Sequence, residues 1–324
     1  MKKLKNAEKT AKIKLSRNPY LNARVRVMKS KLIVPEDYPK LLKMTPSEVS
    51  HFLGDGEYKV QIDELAVKHE GADLIELALN ANASKSYSKV MRISKGATRE
   101  VITEYFLRLD IANLKTVLRG FYSGVEEEEI RQAIMPGCNL SSEVLLSLLK
   151  KESIEDILSD SSILRVFPHL KSYTAPKDGI TLAYIENLLD SNYYNELFLI
   201  AEALPKNASV FKTFLMNEID LLNINTLLVM KKEGSRKEDI LPMIIGAGAN
   251  LKTAFIKSAA SAENIEQLLD LLETTKYSQE IQEGRSDALE GSLSTIKREL
   301  DKRHMRKAFL LLHSHPLSVA PVLG

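Results

Sequence analysis

Cysteine, tryptophan and long apolar runs are almost or wholly missing from this 324-residue sequence. Cys138 is the only cysteine, which excludes an intramolecular disulfide, a cysteine-type zinc site and a CxxC redox pair. A single cysteine also fits a reducing compartment. The longest mostly apolar run, Leu241–Ala249, is far shorter than the roughly 18–20 residues that a membrane-spanning helix needs. The basic N-terminal residues lack the apolar core of a signal peptide. We therefore expect a protein that stays in water, either away from a membrane or next to one.

Aromatic residues are scarce as well, at 6% of the chain, and strand-like alternation with paired turn signals is hard to find. Apolar residues instead recur three and four positions apart, as they do in Ile185, Leu188 and Leu189 and again from Ile265 to Leu272. This spacing is typical of amphipathic helices. The sequence therefore predicts an all-α protein.

Charge is balanced in total but not along the chain. The sequence has 45 Lys and Arg against 43 Asp and Glu, yet residues 1–32 carry a net charge of +10 and the remainder −8. A basic arm on an acidic body suits nucleic acid, anionic lipid or an acidic protein surface. The simpler interpretation is a solvated, frayed terminus, because the arm lacks the interleaved aromatic residues of a single-strand nucleic-acid binder.

Internal repetition is the most informative pattern. Asp110–Leu118 matches Asp220–Leu228 at a separation of 110 positions, and Gly124 and Gly234 keep that separation. Gly137–Leu140 matches Gly248–Leu251, and Ser153–Leu158 matches Asn264–Leu269, both at 111 positions. These matches predict a basic arm at 1–16 and three homologous helical units at 17–127, 128–238 and 239–324, the last incomplete. Three such bundles can pack side by side around a pseudo-threefold axis.

One polar pair recurs within this repeat. Asp110 with Asn113, and Asp220 with Asn223, each lie three positions apart and so share one face of a helix. A repeated Asp–Asn pair amid Leu, Ile and Val is better suited to capping or fixing a neighbouring helix than to catalysis. A single active site would need such a pair only once, whereas this pair occurs in two units. We interpret these four residues as structural anchors of the repeat.

Motifs for cofactors and metals are weak. Gly246–Thr253 approaches the GxxxxGK[ST] pattern of a phosphate-binding loop, but Leu251 replaces the glycine before Lys252. His304, His313 and His315 lack an HExxH pattern or neighbouring ligands at metal spacing. We therefore expect a turn at the glycines, packing or surface histidines, and no cofactor, metal or catalytic residue.

Several blocks of the sequence together resemble a known family. Residues 20–32 read YLNARVRVMKSKL and are followed by Glu36–Tyr38 and Leu41-Leu42. Together with Asp110–Leu114 and the terminal HPLSVAPVLG at 315–324, they resemble the blocks of the C subunits of archaeal (A-type) and V-type ATPases, which are relatives of the d subunit of the eukaryotic V-ATPase. The resemblance implies a non-catalytic, all-helical, funnel-shaped protein of three helical units. Family members usually continue past this Pro-Val-Leu-Gly ending into a further helix, which agrees with the incomplete third unit.

The resemblance also implies partners and a location. Such a protein sits between the rotor shaft and the membrane proteolipid ring, turns with both, and is peripheral at the cytoplasmic face of the cell membrane. It would couple the shaft to the ring for ion transport and ATP synthesis or hydrolysis, with no nucleic acid involved. Two other functions stay open at this point: a helical-repeat adaptor, and a nucleic-acid binder that uses the basic arm.

Overall fold

A computed structural model describes residues 19–135, 139–172, 182–204, 209–246, 248–314 and 322. The basic arm at 1–16, Cys138 and all of the 315–324 block except Val322 therefore lie outside the described residues. Within the described ranges every regular element is a helix and there is no strand. The all-α prediction is confirmed. The chain divides into two compact units, one formed by Pro19–Leu182 and one that includes Ala183–Gly324.

The unit at residues 19–182 contains ten α-helices and three short 3-10 helices among its described residues. The α-helices are α1 (Pro19–Lys29), α2 (Tyr38–Leu41), α3 (Pro46–Gly54), α4 (Lys59–Leu65), α5 (Gly71–Ile93), α6 (Gly96–Ser123), α7 (Glu127–Ala133), α8 (Ser142–Ser147), α9 (Ile154–Ser159) and α10 (Ser161–Val166). The 3-10 helices are Pro35–Asp37, Leu148–Lys150 and Pro168–Ser172.

Helix α5 is the platform for the first part of this unit. Helices α1, α3 and α4 pack against it, and α6 follows it along the chain and contacts it as well. A small core of Leu53, Tyr58, Ile62, Leu74 and Ala78 joins α3 and α4 to α5. Helix α3 starts at a capping box, in which Thr45 and Glu48 each accept a backbone N–H of the other.

The unit at residues 183–324 is built in the same style. Its helices are α11 (Leu182–Ala203), α12 (Ser209–Lys232), α13 (Lys237–Ile240), the 3-10 helix Leu241–Met243, α14 (Thr253–Ala260), α15 (Ile265–Glu273), α16 (Ser278–Glu283), α17 (Arg285–Leu289) and α18 (Ser294–Ser314). Helix α12 packs against α13, α14, α15 and α18. Its buried Ile224, Leu227 and Leu228 join a core to which α14, α15, α16 and α18 also contribute.

Element boundaries repeat at the separations found in the sequence. Helices α7 and α13 begin 110 residues apart, whereas α8 and α14, and likewise α9 and α15, begin 111 apart. The caps of the last pair are equivalent too, because the side chains of Ser153 and Asn264 each accept a backbone N–H three residues on. The repetition is thus present in the described elements, while the division into three units stays a prediction.

Two glycines end the long helices in the same way. Gly124 after α6 and Gly234 after α12 both adopt left-handed backbone, with φ of 65° and 74°. In each case the next residue donates its N–H five positions back, from Val125 to Gly120 and from Ser235 to Met230. This is the Schellman arrangement, in which glycine avoids the strain that a Cβ would bring.

None of the helices in the described part of the chain combines the length and the apolar character that crossing a bilayer requires.

Candidate functional site

Asp110 lies in the middle of α6 and its side chain is fully buried. Its carboxylate accepts hydrogen bonds from the loop that joins α7 to α8. The backbone N–H of Leu140 donates to Oδ1 at 3.0 Å, and the side-chain amide of Asn139 donates to Oδ2 at 2.9 Å. The backbone N–H of Asn139 lies 3.1 Å from both oxygens. Charged acceptors of this kind are only tolerated in a protein interior when donors surround them.

Asn113 completes this contact one helical turn further along α6. Its Oδ1 accepts the backbone N–H of Met135 at 3.0 Å, and its Nδ2 donates to the carbonyl of the same residue. A side-chain amide that pairs with both backbone groups of one residue fixes the position and the direction of the chain there. The exit from α7 is therefore held by Asn113 and the entry to α8 by Asp110.

The same arrangement occurs on α12 in the other unit, where Asp220 and Asn223 are both fully buried. Asn223 accepts the N–H of Ile245 at 2.9 Å and donates to the Ile245 carbonyl at 2.9 Å. Asp220 accepts the backbone N–H groups of Asn250 at 2.8 Å and Leu251 at 3.1 Å, as well as the Asn250 side-chain amide at 2.9 Å. We refer to Asp110 with Asn113 as the α6 anchor, and to Asp220 with Asn223 as the α12 anchor.

The α12 anchor has one more donor. The hydroxyl of Tyr277, which is buried at the start of α16, donates to Asp220 Oδ2 at 2.9 Å and accepts from the Asn250 amide at 3.2 Å. Burial raises the pKa of Tyr277, and the neighbouring Asp220 carboxylate raises it further, so the phenol stays protonated and able to donate.

Cations on α18 surround this tyrosine. The guanidinium of Arg303 lies 5.1 Å and the ammonium of Lys307 5.9 Å from the centre of the Tyr277 ring. Arg303 also pairs with the buried carboxylate of Glu280 at 2.9 Å, and Lys307 donates to Asn217 on α12 at 2.7 Å. Burial lowers the pKa of Lys307, and the adjacent Arg303 charge lowers it further. Helices α12, α16 and α18 are thus joined through one polar cluster beside Asp220.

Gly248 is required by the close approach of this loop to α12. A Cβ built there would lie 2.6 Å from the Asp220 carboxyl carbon and 3.1 Å from the Asp220 backbone nitrogen. Those distances leave no room for a side chain, whatever its chemistry. The glycine of the Gly248–Leu251 copy of the repeated motif is therefore explained by the carboxylate it faces.

The loop at Gly246–Thr253, whose sequence is close to a phosphate-binding motif, binds an anion that belongs to the protein itself. The N–H groups of Asn250 and Leu251 point at the Asp220 carboxylate, and Leu251 itself is fully buried. Lys252 is the residue that precedes α14, and no strand leads into this loop among the described residues. Two of the backbone N–H groups that could contact a phosphate in this loop are therefore engaged by Asp220.

The three histidines that the sequence offered as metal ligands do not form a described metal site. His304 packs against Phe214 with ring centres 4.8 Å apart. The side chain of His313 and the whole of His315 lie outside what the structure describes. Within the described residues, no three or more His, Cys, Asp or Glu side chains are placed together to hold a metal ion.

The chemistry available at the anchors is hydrogen bonding rather than proton transfer to a substrate. Both carboxylates are wholly buried, and each is surrounded by N–H or O–H donors from its own unit. The sequence placed Asp and Asn on one helix face but did not reveal their partners. Asn139 and Asn250 belong to a second repeated motif in the sequence. The sequence did not show that this motif contacts the Asp–Asn pair. Tyr277 carried no repeat signal of its own.

Comparisons with known proteins find a matching family and several relatives. A family model described as "ATP synthase (C/AC39) subunit" matches residues 21–324. The C subunit of the A-type ATP synthase of Methanococcoides burtonii is 36% identical over 313 residues, covering 94% of this chain and 84% of that protein. Its counterpart from Methanosarcina acetivorans is 36% identical over 307 residues, covering 94% and 82%. The counterpart from Haloquadratum walsbyi is 30% identical over 313 residues, covering 95% and 89%.

These matches define the class of the protein as an ATP synthase subunit of helical construction. Within that class, the chain belongs to the ATP synthase (C/AC39) subunit family. The resemblance found in the N-terminal block and the repeat is confirmed.

Gly248→Ala tests the close approach of the loop to Asp220. The added methyl group must displace either the carboxylate or the loop backbone, so we expect a loss of stability on the order of 1–3 kcal/mol. Urea denaturation followed by circular dichroism measures it. Gly54→Ala is the matched control, because its Cβ would meet only Ile62 Cγ2 at an ordinary 3.7 Å. Equal stabilities for the two variants would contradict the packing described.

Asn113→Leu and Asn223→Leu test the amide pairing in both units. Asn113→Leu leaves the backbone N–H and carbonyl of the half-buried Met135 without their side-chain partner, and Asn223→Leu does the same to the buried Ile245. Each should lower the free energy of unfolding by on the order of 1–3 kcal/mol. Asn225→Leu, at an exposed position of the same helix α12, should change it by less than about 0.5 kcal/mol. If either buried substitution left stability unchanged yet prevented assembly with partner proteins, that asparagine would be an interface residue.

Proposed function

We propose that this chain is a non-catalytic central-stalk component of an A-type or V-type rotary ATPase, and that it couples the rotor shaft to the membrane proteolipid ring. Membership of the ATP synthase (C/AC39) subunit family carries the proposal. In this role the protein transmits torque for ion transport and for ATP synthesis or hydrolysis, and it lies at the cytoplasmic face of the membrane.

The anchors support a mechanical role. A part that passes torque must keep its helices in fixed relative positions under load, and a flexible connection would store or lose the rotation. Each anchor ties a long helix to the two ends of the loop that follows α7 or α13, through five or more hydrogen bonds. We assign Asp110, Asn113, Asp220 and Asn223 this structural function.

The proposal includes the three-unit organisation. Helical units at 17–127, 128–238 and 239–324, set around a pseudo-threefold axis, would leave a central concavity bounded by three related surfaces. A helical shaft seated there would be held along much of its circumference, so that the load is shared. The opposite face would then meet the cytoplasmic loops of the proteolipid ring.

Binding to the shaft is the direct test. The purified full-length chain should co-elute in size-exclusion chromatography with the purified central-shaft proteins of an A-type ATP synthase. Residues 33–324 carry a net charge of −8, so a basic shaft end is favoured and the complex should weaken as salt is added. Excess duplex DNA should not displace the shaft.

An unrelated all-helical protein of similar size and charge serves as the negative control. The Asn225→Leu variant should bind as the unmodified chain does, since this substitution leaves the anchors intact. Failure to bind the shaft, together with tight and salt-sensitive binding of the duplex DNA, would contradict the coupling role and favour a nucleic-acid function for the basic arm.

A further inference from the structure

An apolar and basic surface covers the start of the unit at residues 19–182. Six large apolar side chains between residues 20 and 42 are exposed, and Leu42 reaches 85% and Tyr20 64%. The six are Tyr20, Val27, Leu32, Val34, Tyr38 and Leu42. We call them, with the basic residues among them, the N-terminal surface. Exposed apolar groups collected in one stretch of chain indicate an interaction site more strongly than scattered ones do.

Helix α1 contributes one face of this surface. Its Leu21 and Asn22 are buried, and the helix packs against α5. Tyr20, Ala23 and Val27 are exposed and recur at helical spacing, so they lie together on the side away from the buried pair. Helix α1 therefore exposes apolar side chains on the face that points away from the bundle.

The segment after α1 is held in place while it exposes its apolar side chains. Ile33 packs against the core formed by α3, α4 and α5, whereas its neighbours Leu32 and Val34 are exposed. Lys31 pairs with Glu57 at 2.6 Å, and the Lys40 ammonium lies 5.4 Å from the centre of the Phe52 ring. The exposure of Leu32 and Val34 thus follows from an ordered path of the chain.

Positive charge accompanies the apolar groups. Residues 19–43 contain six Lys and Arg and only two acidic residues, Glu36 and Asp37. Arg26 and Lys43 are exposed and make no ion pair among the described residues. The Lys29 ammonium is buried and Lys31 pairs with Glu57. The positive charge beside the exposed Tyr, Leu and Val side chains therefore comes mainly from Arg26, Lys40 and Lys43.

We propose that the N-terminal surface binds the surface of an anionic phospholipid membrane. Apolar and tyrosine side chains that enter the headgroup region, flanked by Lys and Arg that attract acidic lipids, are the pattern of interfacial binding. The centres of protein–protein interfaces are instead depleted of Lys, which here alternates with the apolar groups. This proposal rests on the surface itself and does not depend on the coupling role.

Vesicle co-sedimentation of the full-length chain tests the proposal. Binding should be strong to vesicles of phosphatidylcholine with phosphatidylglycerol, weak to vesicles of phosphatidylcholine alone, and reduced by salt. Arg26→Gln with Lys43→Gln should weaken binding by about fivefold per charge removed, which corresponds to about 1 kcal/mol each. Val27→Ser with Leu42→Ser should weaken it on the order of tenfold.

Matched controls separate this surface from the rest of the chain. Lys257→Gln with Lys297→Gln removes two exposed charges elsewhere, and Val67→Ser with Leu289→Ser removes two exposed apolar groups outside the N-terminal surface. Neither pair should change binding by more than about twofold, which is within the scatter expected for surface sites. Deletion of residues 2–14 measures the contribution of the arm.

Four results would overturn the proposal. One is an absence of binding to the anionic vesicles, and another is an equal loss in the control and test pairs. The third is binding that disappears with the arm deletion but is unaffected by the four surface substitutions. Capture of polyglutamate in preference to the vesicles would instead assign the surface to an acidic protein. The co-elution of the chain with the shaft proteins is a separate experiment, and it can succeed or fail whatever the vesicle experiment shows.

Discussion

A buried carboxylate that faces the backbone N–H groups of a loop is the interaction on which both units depend. Burying a charge in a protein interior costs several kcal/mol unless donors replace the lost water. Asp110 and Asp220 meet that cost with donors from Asn139 and Leu140 and from Asn250 and Leu251. Since those donors belong to the loop after α7 or α13, the long helix and the short helices that follow must fold together.

Rigidity of this kind is what the proposed coupling role requires. The α12 anchor extends the principle, because Tyr277 connects Asp220 to α16, and Arg303 and Lys307 bring α18 to the same cluster. These helices are therefore joined through polar contacts in addition to their apolar core. Directional hydrogen bonds fix orientation more narrowly than apolar packing does, since apolar contacts tolerate sliding.

The sequence predicted the fold class and the anchor residues but not how the anchors work. Helical spacing and scarce strand signals were sufficient for the all-α class, because periodicity is a local property of the chain. The 110-residue repeat singled out Asp110 and Asp220, and it independently singled out Asn139 and Asn250. What joins the two motifs is a contact across 29 or 30 residues, and spacing alone carries no information on such contacts. Tyr277 was out of reach for the same reason, since only the fold brings its hydroxyl to Asp220.

Amide hydrogen exchange at the loop residues tests the central claim most directly. If the Asp220 carboxylate holds the loop, the amides of Asn250 and Leu251 should exchange as slowly as those in the middle of α12, although they belong to no helix. Asp220→Asn should speed their exchange by on the order of tenfold or more, since losing a charged hydrogen bond is worth about 1.5–3 kcal/mol. The amides of Asn139 and Leu140, which face Asp110, should keep their rates in the same variant and serve as the internal reference. Fast exchange of Asn250 and Leu251 in the unmodified chain, or unchanged slow exchange in Asp220→Asn, would contradict the account.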